Sequence, residues 1–223
     1  MLKYPCLVLD HDDTVVQTMK TLSYPFFCLE LEQFRPGAVM SLSEYVTECH
    51  HRGFADMCRE CFGFTDEELA QEHRQWMDYI MEHIPDIFPG IERIIHRQKA
   101  EGGILCVVSH SNSDNIIRDY QAHFGILPDA IYGWDMEPHQ RKPHPWPLQD
   151  IMQKFNLHPE EILVVDDMQL ACQMAEPLGV KVAYAGWDDM GVPEVREEME
   201  QRCAYTFHST AELEKFLFDE DSK

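Results

Sequence analysis

Asp10, Asp12 and Asp13 stand directly behind the apolar run Cys6-Leu7-Val8-Leu9. A carboxylate at the end of a buried strand can attack phosphorus and form an acyl phosphate. A second carboxylate two residues on can protonate the leaving oxygen and later deprotonate water. Asp10 and Asp12 have that spacing, and strand geometry points both side chains the same way unless the turn reorients Asp12. Two other apolar runs also end in polar groups: Ile104 to Val108 leads into Ser109-His110-Ser111-Asn112, and Ile162 to Val165 into Asp166-Asp167. A hydroxyl at Ser109 could hold a phosphoryl oxygen. Carboxylates gathered this closely repel one another unless a hard cation joins them, and magnesium takes one or two carboxylates plus water and phosphate oxygens. Asp10, Asp166 and Asp167 are available for it. A lysine is still needed to offset the nucleophile and the phosphate. Lys142, in Arg141-Lys142-Pro143-His144-Pro145, is the candidate, because the two prolines fix the loop that presents it.

These groups must be brought to one place by elements far apart in sequence. The runs Cys6 to Leu9, Ile104 to Val108, Ile162 to Val165 and Val180 to Tyr184 are short, continuous and unalternating. Strands buried on both faces of a parallel sheet read this way. A weaker strand includes Ile131 and Tyr132. Helix-spaced apolar sets lie between them: Ile91, Ile94 and Ile95; Ile116, Tyr120 and Phe124; Leu148, Ile151 and Phe155; Ala171, Met174 and Leu178. A final helix carries Leu213, Phe216 and Leu217, with Thr210 as its cap. Strands alternating with helices predict a doubly wound α/β core with a parallel sheet and right-handed crossovers. In such a sheet ligands bind outside the carboxyl ends of the strands, where three of these strands carry their polar groups.

Residues 17–88 contain no buried-strand pattern. Helices are predicted over Leu42 to His51, Phe54 to Phe62 and Asp66 to Ile84, the last with Leu69, His73, Trp76, Met77 and Ile80 on one side. This predicts an all-helical insert over 17–88 within a core formed by 1–16 and 89–223, with Pro85, Pro89 and Gly90 marking the exit.

Composition narrows the function class. The chain has 223 residues, 44% apolar and 26% charged, as a soluble globular protein does. No run approaches the roughly 18 apolar residues of a membrane span, and the N-terminal segment lacks a secretory pattern, so a cytoplasmic protein is expected. A formal net charge of −22 repels nucleic acid and anionic membranes. It also repels a phosphate substrate, which must therefore meet local cations or a metal. The eight cysteines are expected as reduced thiols, and Cys58-x-x-Cys61 as two cysteines on one helix face, since no second ligand pair stands at zinc spacing.

The order Asp-x-Asp-x-Thr, strand–Ser, Lys-Pro-x-Pro, strand–Asp-Asp resembles the haloacid dehalogenase (HAD) superfamily, in particular its phosphoglycolate phosphatase-like branch with a helical cap between the first two motifs. Phe88-Pro89-Gly90 resembles that branch's re-entry into the core. The resemblance spans essentially the whole chain and implies a Rossmannoid core, a Mg2+ cofactor and hydrolysis of a small phosphorylated metabolite through an aspartyl phosphate. It implies Asp10 as nucleophile and metal ligand, and Asp12 as general acid/base whose carbonyl is a further ligand. It assigns Ser109 to phosphate binding, Lys142 to the charge on nucleophile and phosphoryl group, and Asp166 and Asp167 to the metal. Asp13 replaces the usual glycine, His11 an apolar residue, His110 an asparagine and Arg141 a glycine, while Leu170 stands where a further acidic residue often follows the last motif. His110, beside Ser109, is a candidate substrate contact. Thr14 is expected to order its turn. Arg35, His50, His51 and Arg52 are candidate substrate-reading groups within the insert. A phosphosugar mutase of the same fold and a catalytically silent binding module are the rival readings. A dehalogenase is disfavoured because Asp12 has no purpose in carbon–halogen displacement. Monomer and homodimer are both left open.

Overall fold

The computed structural model describes residues 2–188, 190 and 192–219. Six strands form one parallel sheet: β1 (Cys6–Leu9), β2 (Ile104–Val108), β3 (Ala130–Tyr132), β4 (Ile162–Asp166), β5 (Lys181–Ala185) and β6 (Tyr205–Phe207), in the order β3-β2-β1-β4-β5-β6. The helices are α1 (Tyr24–Phe34), α2 (Leu42–Arg52), α3 (Phe54–Phe62), α4 (Asp66–Glu82), α5 (Ile91–Ala100), α6 (Ser113–Phe124), α7 (Trp146–Phe155), α8 (Gln169–Ala175), α9 (Pro193–Arg202) and α10 (Thr210–Phe218).

Alternation along the strands explains the unbroken apolar runs. Leu7 and Leu9 join Leu105, Val107, Leu163 and Val165 on one face, under Ile91 and Ile95 of α5, Tyr120 of α6 and Leu213 of α10. Cys6 and Val8 join Cys106, Val108, Ile162 and Val164 on the other, under Leu148 of α7, Met174 of α8 and Met199 of α9. Both faces are covered, so neither parity can be polar. β1 lies between β2 and β4 in matched register, with Leu9 opposite Val107 and Val165. The residues that follow these three strands therefore emerge side by side at one sheet edge.

Several local expectations are corrected. The last helix is capped by Ser209, whose hydroxyl accepts from the Glu212 N–H, while the Thr210 hydroxyl donates to the carbonyl of Pro89. Leu178 ends a 3-10 turn, so the pattern through Ala171 stops being α-helical at Ala175. The strand β6 and the helices α1 and α9 have no counterpart in the sequence reading. β6 is three residues at the sheet edge, of which only Phe207 is buried, and α9 has only Val195 and Met199 as apolar side chains besides its first residue, Pro193.

The chain divides into two compact units. One takes Met1–Gln17, Asp86–Asp188 and Glu197–Lys223 and contains the sheet; the other takes Thr18–Pro85 and Asp189–Arg196 and is helical. In the helical unit, Phe27, Leu31, Tyr45, Met57, Cys58 and Phe64 form the core. Capping boxes at Ser41/Glu44 and Thr65/Glu68 start α2 and α4. Cys58 is buried while Cys61 is exposed, and all eight cysteines are free thiols. The inward face of α4 carries Glu72 rather than His73: Glu72 is buried and His73 exposed.

Glu72 is matched by a second buried carboxylate, Glu30 of α1, whose Oε2 has no hydrogen-bond partner among the described residues. Burial, followed by the charge of Glu30, pushes Glu72 up to about 8, and burial raises Glu30 as well. A raised folded-state pKa means that the folded protein holds a proton the unfolded chain has released. The associated stability is fully present below the ordinary glutamate range and is lost as pH rises through about 8. Glu72→Gln keeps the shape and removes the ionisation. Its melting temperature should exceed that of the wild type, by more at pH 8 than at pH 5, in calorimetric scans; an equal difference at both values would contradict a buried, protonated Glu72.

Candidate active site

Asp10 follows β1, and its N–H donates to the Val165 carbonyl at 2.9 Å, which carries the β1–β4 ladder one residue past the strand. The chain then turns tightly. The His11 carbonyl accepts from Val15 N–H at 2.9 Å and Val16 N–H at 3.0 Å, and Asp13 N–H donates to Val16 O at 2.7 Å. Asp13 takes φ 54°, a left-handed conformation that glycine adopts freely and aspartate tolerates better than most residues. The expected departure from glycine is thus accommodated, with the Asp13 side chain buried.

His11 alternates away from Asp10 and Asp12. Its Nε2 lies 3.0 Å from Asp119 Oδ2, and both side chains are almost fully buried. Arg118 Nε grips the other oxygen of Asp119 at 2.7 Å. Burial would raise the Asp119 carboxyl, but His11 and Arg118 outweigh it and hold it below its ordinary value. His11 therefore fastens the turn to α6.

Lys142 joins the strand ends. Its Nζ lies 2.9 Å from Asp10 Oδ1 and 2.8 Å from Asp166 Oδ2, with all three side chains buried. Burial works against the lysine's charge, but Asp10 and Asp166 overcome it and raise Lys142 above the ordinary lysine range. The second Asp166 oxygen accepts the Met168 N–H at 2.8 Å. The Thr14 hydroxyl, 3.4 Å from Asp167 Oδ1, makes a long contact that steadies the turn against that carboxylate, and the Thr14 carbonyl accepts from Trp187 Nε1 at 3.2 Å.

Asp10, Asp166 and Asp167 each offer an oxygen within 4.8 Å of the others. One ammonium cannot balance this group. Burial raises Asp166 to about 7 even with Lys142 beside it. Burial, then the charges of Asp166, Asp10 and Asp13, drives Asp167 well above the carboxylate range. An all-oxygen set whose members penalise one another's ionisation suits a hard divalent cation, which reverses that penalty.

Asp12 is held separately. The Ser111 hydroxyl donates to Asp12 Oδ2 at 2.6 Å, a charge-assisted bond. The Ser111 N–H donates to the buried Ser109 hydroxyl at 3.1 Å, which fixes Ser109 while leaving its own proton to be given away. Ser111 had no role in the sequence reading. Its signal is its place two residues beyond Ser109, on the same side of the chain. His110, read as a substrate contact, has Nε2 2.8 Å from the Lys142 carbonyl, and its ring meets that of Trp134 edge-on.

In the helical unit, Arg35 pairs with both Glu68 oxygens and donates to the carbonyls of Phe62 and Gly63. Arg52 pairs with Glu48 and Glu60, and His50 is buried. Both arginines brace their own unit.

The family model for haloacid dehalogenase-like hydrolases matches residues 7–185. Two curated relatives are named phosphoglycolate phosphatase. That of Mannheimia succiniciproducens is 30% identical over 128 residues, 54% of this chain and 56% of the relative; that of Pasteurella multocida is 29% identical over 122 residues, 52% and 54%. The matched stretch is thus about half the length of either relative. Among solved structures, a predicted phosphoglycolate phosphatase from Haemophilus somnus 129PT aligns with a TM-score of 0.75 at 23% identity, over 97% of this chain and 99% of that one. CbbY from Rhodobacter sphaeroides, solved in complex with xylulose-(1,5)bisphosphate, aligns at 0.75 and 19% identity over 96% of each chain. At these identities the structural likeness speaks for the fold, which it reproduces nearly end to end.

The three-carboxylate cluster has a direct thermodynamic test. A cation that binds only the folded chain raises the melting temperature with concentration. Magnesium titrated from zero to millimolar should raise it for the wild type, and Asp167→Asn should lose most of that rise. A rise of the same size in the variant would remove Asp167 from the site.

Proposed function

Because the chain belongs to the haloacid dehalogenase-like hydrolase family, we propose that it is a magnesium-dependent phosphatase of a small phosphorylated metabolite. Its curated relatives make 2-phosphoglycolate the first substrate to try. The observation that supports this best is the separation of the two aspartates of the first motif. Asp10 is ion-paired to Lys142, while Asp12 is hydrogen-bonded to Ser111 and stands outside the Asp10–Asp166–Asp167 cluster. Carboxylates two residues apart are thus prepared for different tasks.

In this reading an Asp10 oxygen attacks phosphorus as the ester P–O bond breaks, and Asp12 delivers its proton to the departing alkoxide. A water then attacks the aspartyl phosphate, Asp12 takes that water's proton, and phosphate leaves as the Asp10 carboxylate is restored. Ser109 donates to a phosphoryl oxygen. Lys142 balances the negative charge shared by Asp10 and the equatorial oxygens. Asp10, Asp166, Asp167 and the Asp12 carbonyl would hold magnesium, which would supply the remaining positive charge. Residues 17–88 serve as the substrate-selecting cap in this scheme.

Phosphate release from 2-phosphoglycolate, sugar phosphates, nucleotides and 4-nitrophenyl phosphate, with and without magnesium, tests the proposal. Expected is magnesium-dependent release that falls by about a thousandfold or more in Asp10→Asn; a wild type inactive across the panel would sink it. Ser111→Ala removes one hydrogen bond to a charged group, worth ~1.5–3 kcal/mol. It should lower kcat about tenfold or more with KM little changed. A rise in KM alone would instead place Ser111 in substrate binding.

A further inference from the structure

Arg141 precedes Lys142 in extended backbone, φ −110° and ψ 156°, so the two side chains leave the chain on opposite sides. Lys142 reaches Asp10 and Asp166. The Arg141 guanidinium lies over the Trp134 ring, 4.3 Å from its centroid, and Nε donates to the Met136 carbonyl. These contacts fix the guanidinium plane. Its terminal pair, Nη1 and Nη2, has no hydrogen-bond partner among the described residues.

That is unusual for this chain, which has 18 lysines and arginines against 40 acidic residues. Arg35, Arg52, Arg59, Arg93, Arg118 and Arg202 all pair with carboxylates. Arg141 is held by a carbonyl and an indole, with Asp135 as a neighbouring charge. Its bidentate fork, the part suited to carboxylate or phosphate, is left over.

The stack is anchored to the active-site loops. The Trp134 N–H donates to the Ser111 carbonyl at 2.9 Å, and Ser111 is the residue that holds Asp12. The Trp134 ring meets His110 edge-on at 5.3 Å, and His110 bonds the Lys142 carbonyl. Through His110 the stack touches the backbone of Lys142, whose ammonium reaches Asp10 and Asp166. Trp134 is nonetheless 40% exposed. The stack thus forms a cationic rim whose arginine precedes Lys142 in the chain and whose indole packs on His110, the residue after Ser109.

We propose that Arg141, held on Trp134, is a specificity residue that receives a second anionic group of the substrate, a carboxylate or a second phosphate. Because Lys142 occupies the opposite side of the chain, Arg141 addresses a part of the substrate beyond the transferring phosphoryl group. The inference rests on the phosphatase reading.

The test measures kcat/KM with magnesium for wild type, Arg141→Ala and Arg141→Lys on three esters. These are 2-phosphoglycolate, which carries a carboxylate, xylulose 1,5-bisphosphate, which carries a second phosphate, and 4-nitrophenyl phosphate, which carries neither. Arg141→Ala should lower the ratio of kcat/KM on an ester with a second anionic group to that on 4-nitrophenyl phosphate by about tenfold or more, chiefly through KM. Arg141→Lys should recover part of it, since the charge stays and the fork is lost. The ester that loses more identifies the anion. Trp134→Leu, which leaves the guanidinium intact but unsupported, should lower the same ratio and covers the case of an Arg141→Ala protein that does not fold. An unchanged ratio, or an equal fall on all three esters, would overturn this inference alone. Wild-type inactivity on every ester would overturn the phosphatase reading and this inference with it.

Discussion

The ammonium of Lys142, buried between Asp10 and Asp166, is the interaction on which the site depends. It connects three chain segments: the end of β1, the end of β4, and the proline-bounded loop before α7. Each partner alone would be costly in the interior. A buried ion pair can be close to neutral against an apolar replacement, whereas removing one member leaves an uncompensated charge, at a cost of ~3–5 kcal/mol. Lys142 is outnumbered by its carboxylates, and this keeps the site receptive to cations. Adding one positive charge relieves Asp166 and Asp167, while adding a phosphate without one would worsen the imbalance. Charge balance therefore couples metal and substrate before any contact between them is considered.

The sheet makes this possible by register. β1 pairs with β2 and β4 so that Leu9 faces Val107 and Val165, and both sheet faces are sealed by apolar side chains. Asp10 and Asp166 therefore emerge at the same height and Ser109 one residue further along, with no apolar surface left over to displace them. The turn after β1 is then made rigid from outside the site. His11, bonded to Asp119 on α6, and Asp13, in its left-handed conformation, hold Asp10 and Asp12 without occupying the reaction space.

Much of this was legible in the sequence because it lies in local pattern. β1, β2 and β4 are built on continuous apolar runs and β5 on the apolar residues after Lys181, and the polar groups that end three of these runs are adjacent to them in sequence. The elements that escaped lack such a pattern. β6 is stabilised by pairing with β5 rather than by an apolar run of its own, and α9 is charged along most of its length. Glu72 escaped for a different reason. Helical periodicity predicts which positions face inward, and His73 lies next to the true face; only the packing of α1 against α4 shows that a carboxylate is buried there. The partners of His11 and Ser111 are equally invisible, because Asp119 and Asp12 lie 108 and 99 residues away from them.

The period of two in extended chain explains how departures from the family pattern coexist with retained chemistry. Within its own segment each pair, Asp10 with Asp12 and Ser109 with Ser111, shares one parity, and in the proposed mechanism these pairs supply the reacting carboxylates, the phosphate hydroxyl and the hydroxyl that aims Asp12. His11 and His110 occupy the opposite parity, and each bonds to protein: His11 to Asp119, His110 to the Lys142 carbonyl. The third segment repeats the division, with Lys142 directed to Asp10 and Arg141 to Trp134. Side chains of the second parity can change without moving those of the first, provided that the backbone keeps its course. The unusual residues at 11, 110 and 141 therefore alter what surrounds the reaction centre and leave the centre itself in place. With the roles proposed above, chemistry would be set by one side of each strand-end loop, and substrate choice would be free to vary on the other.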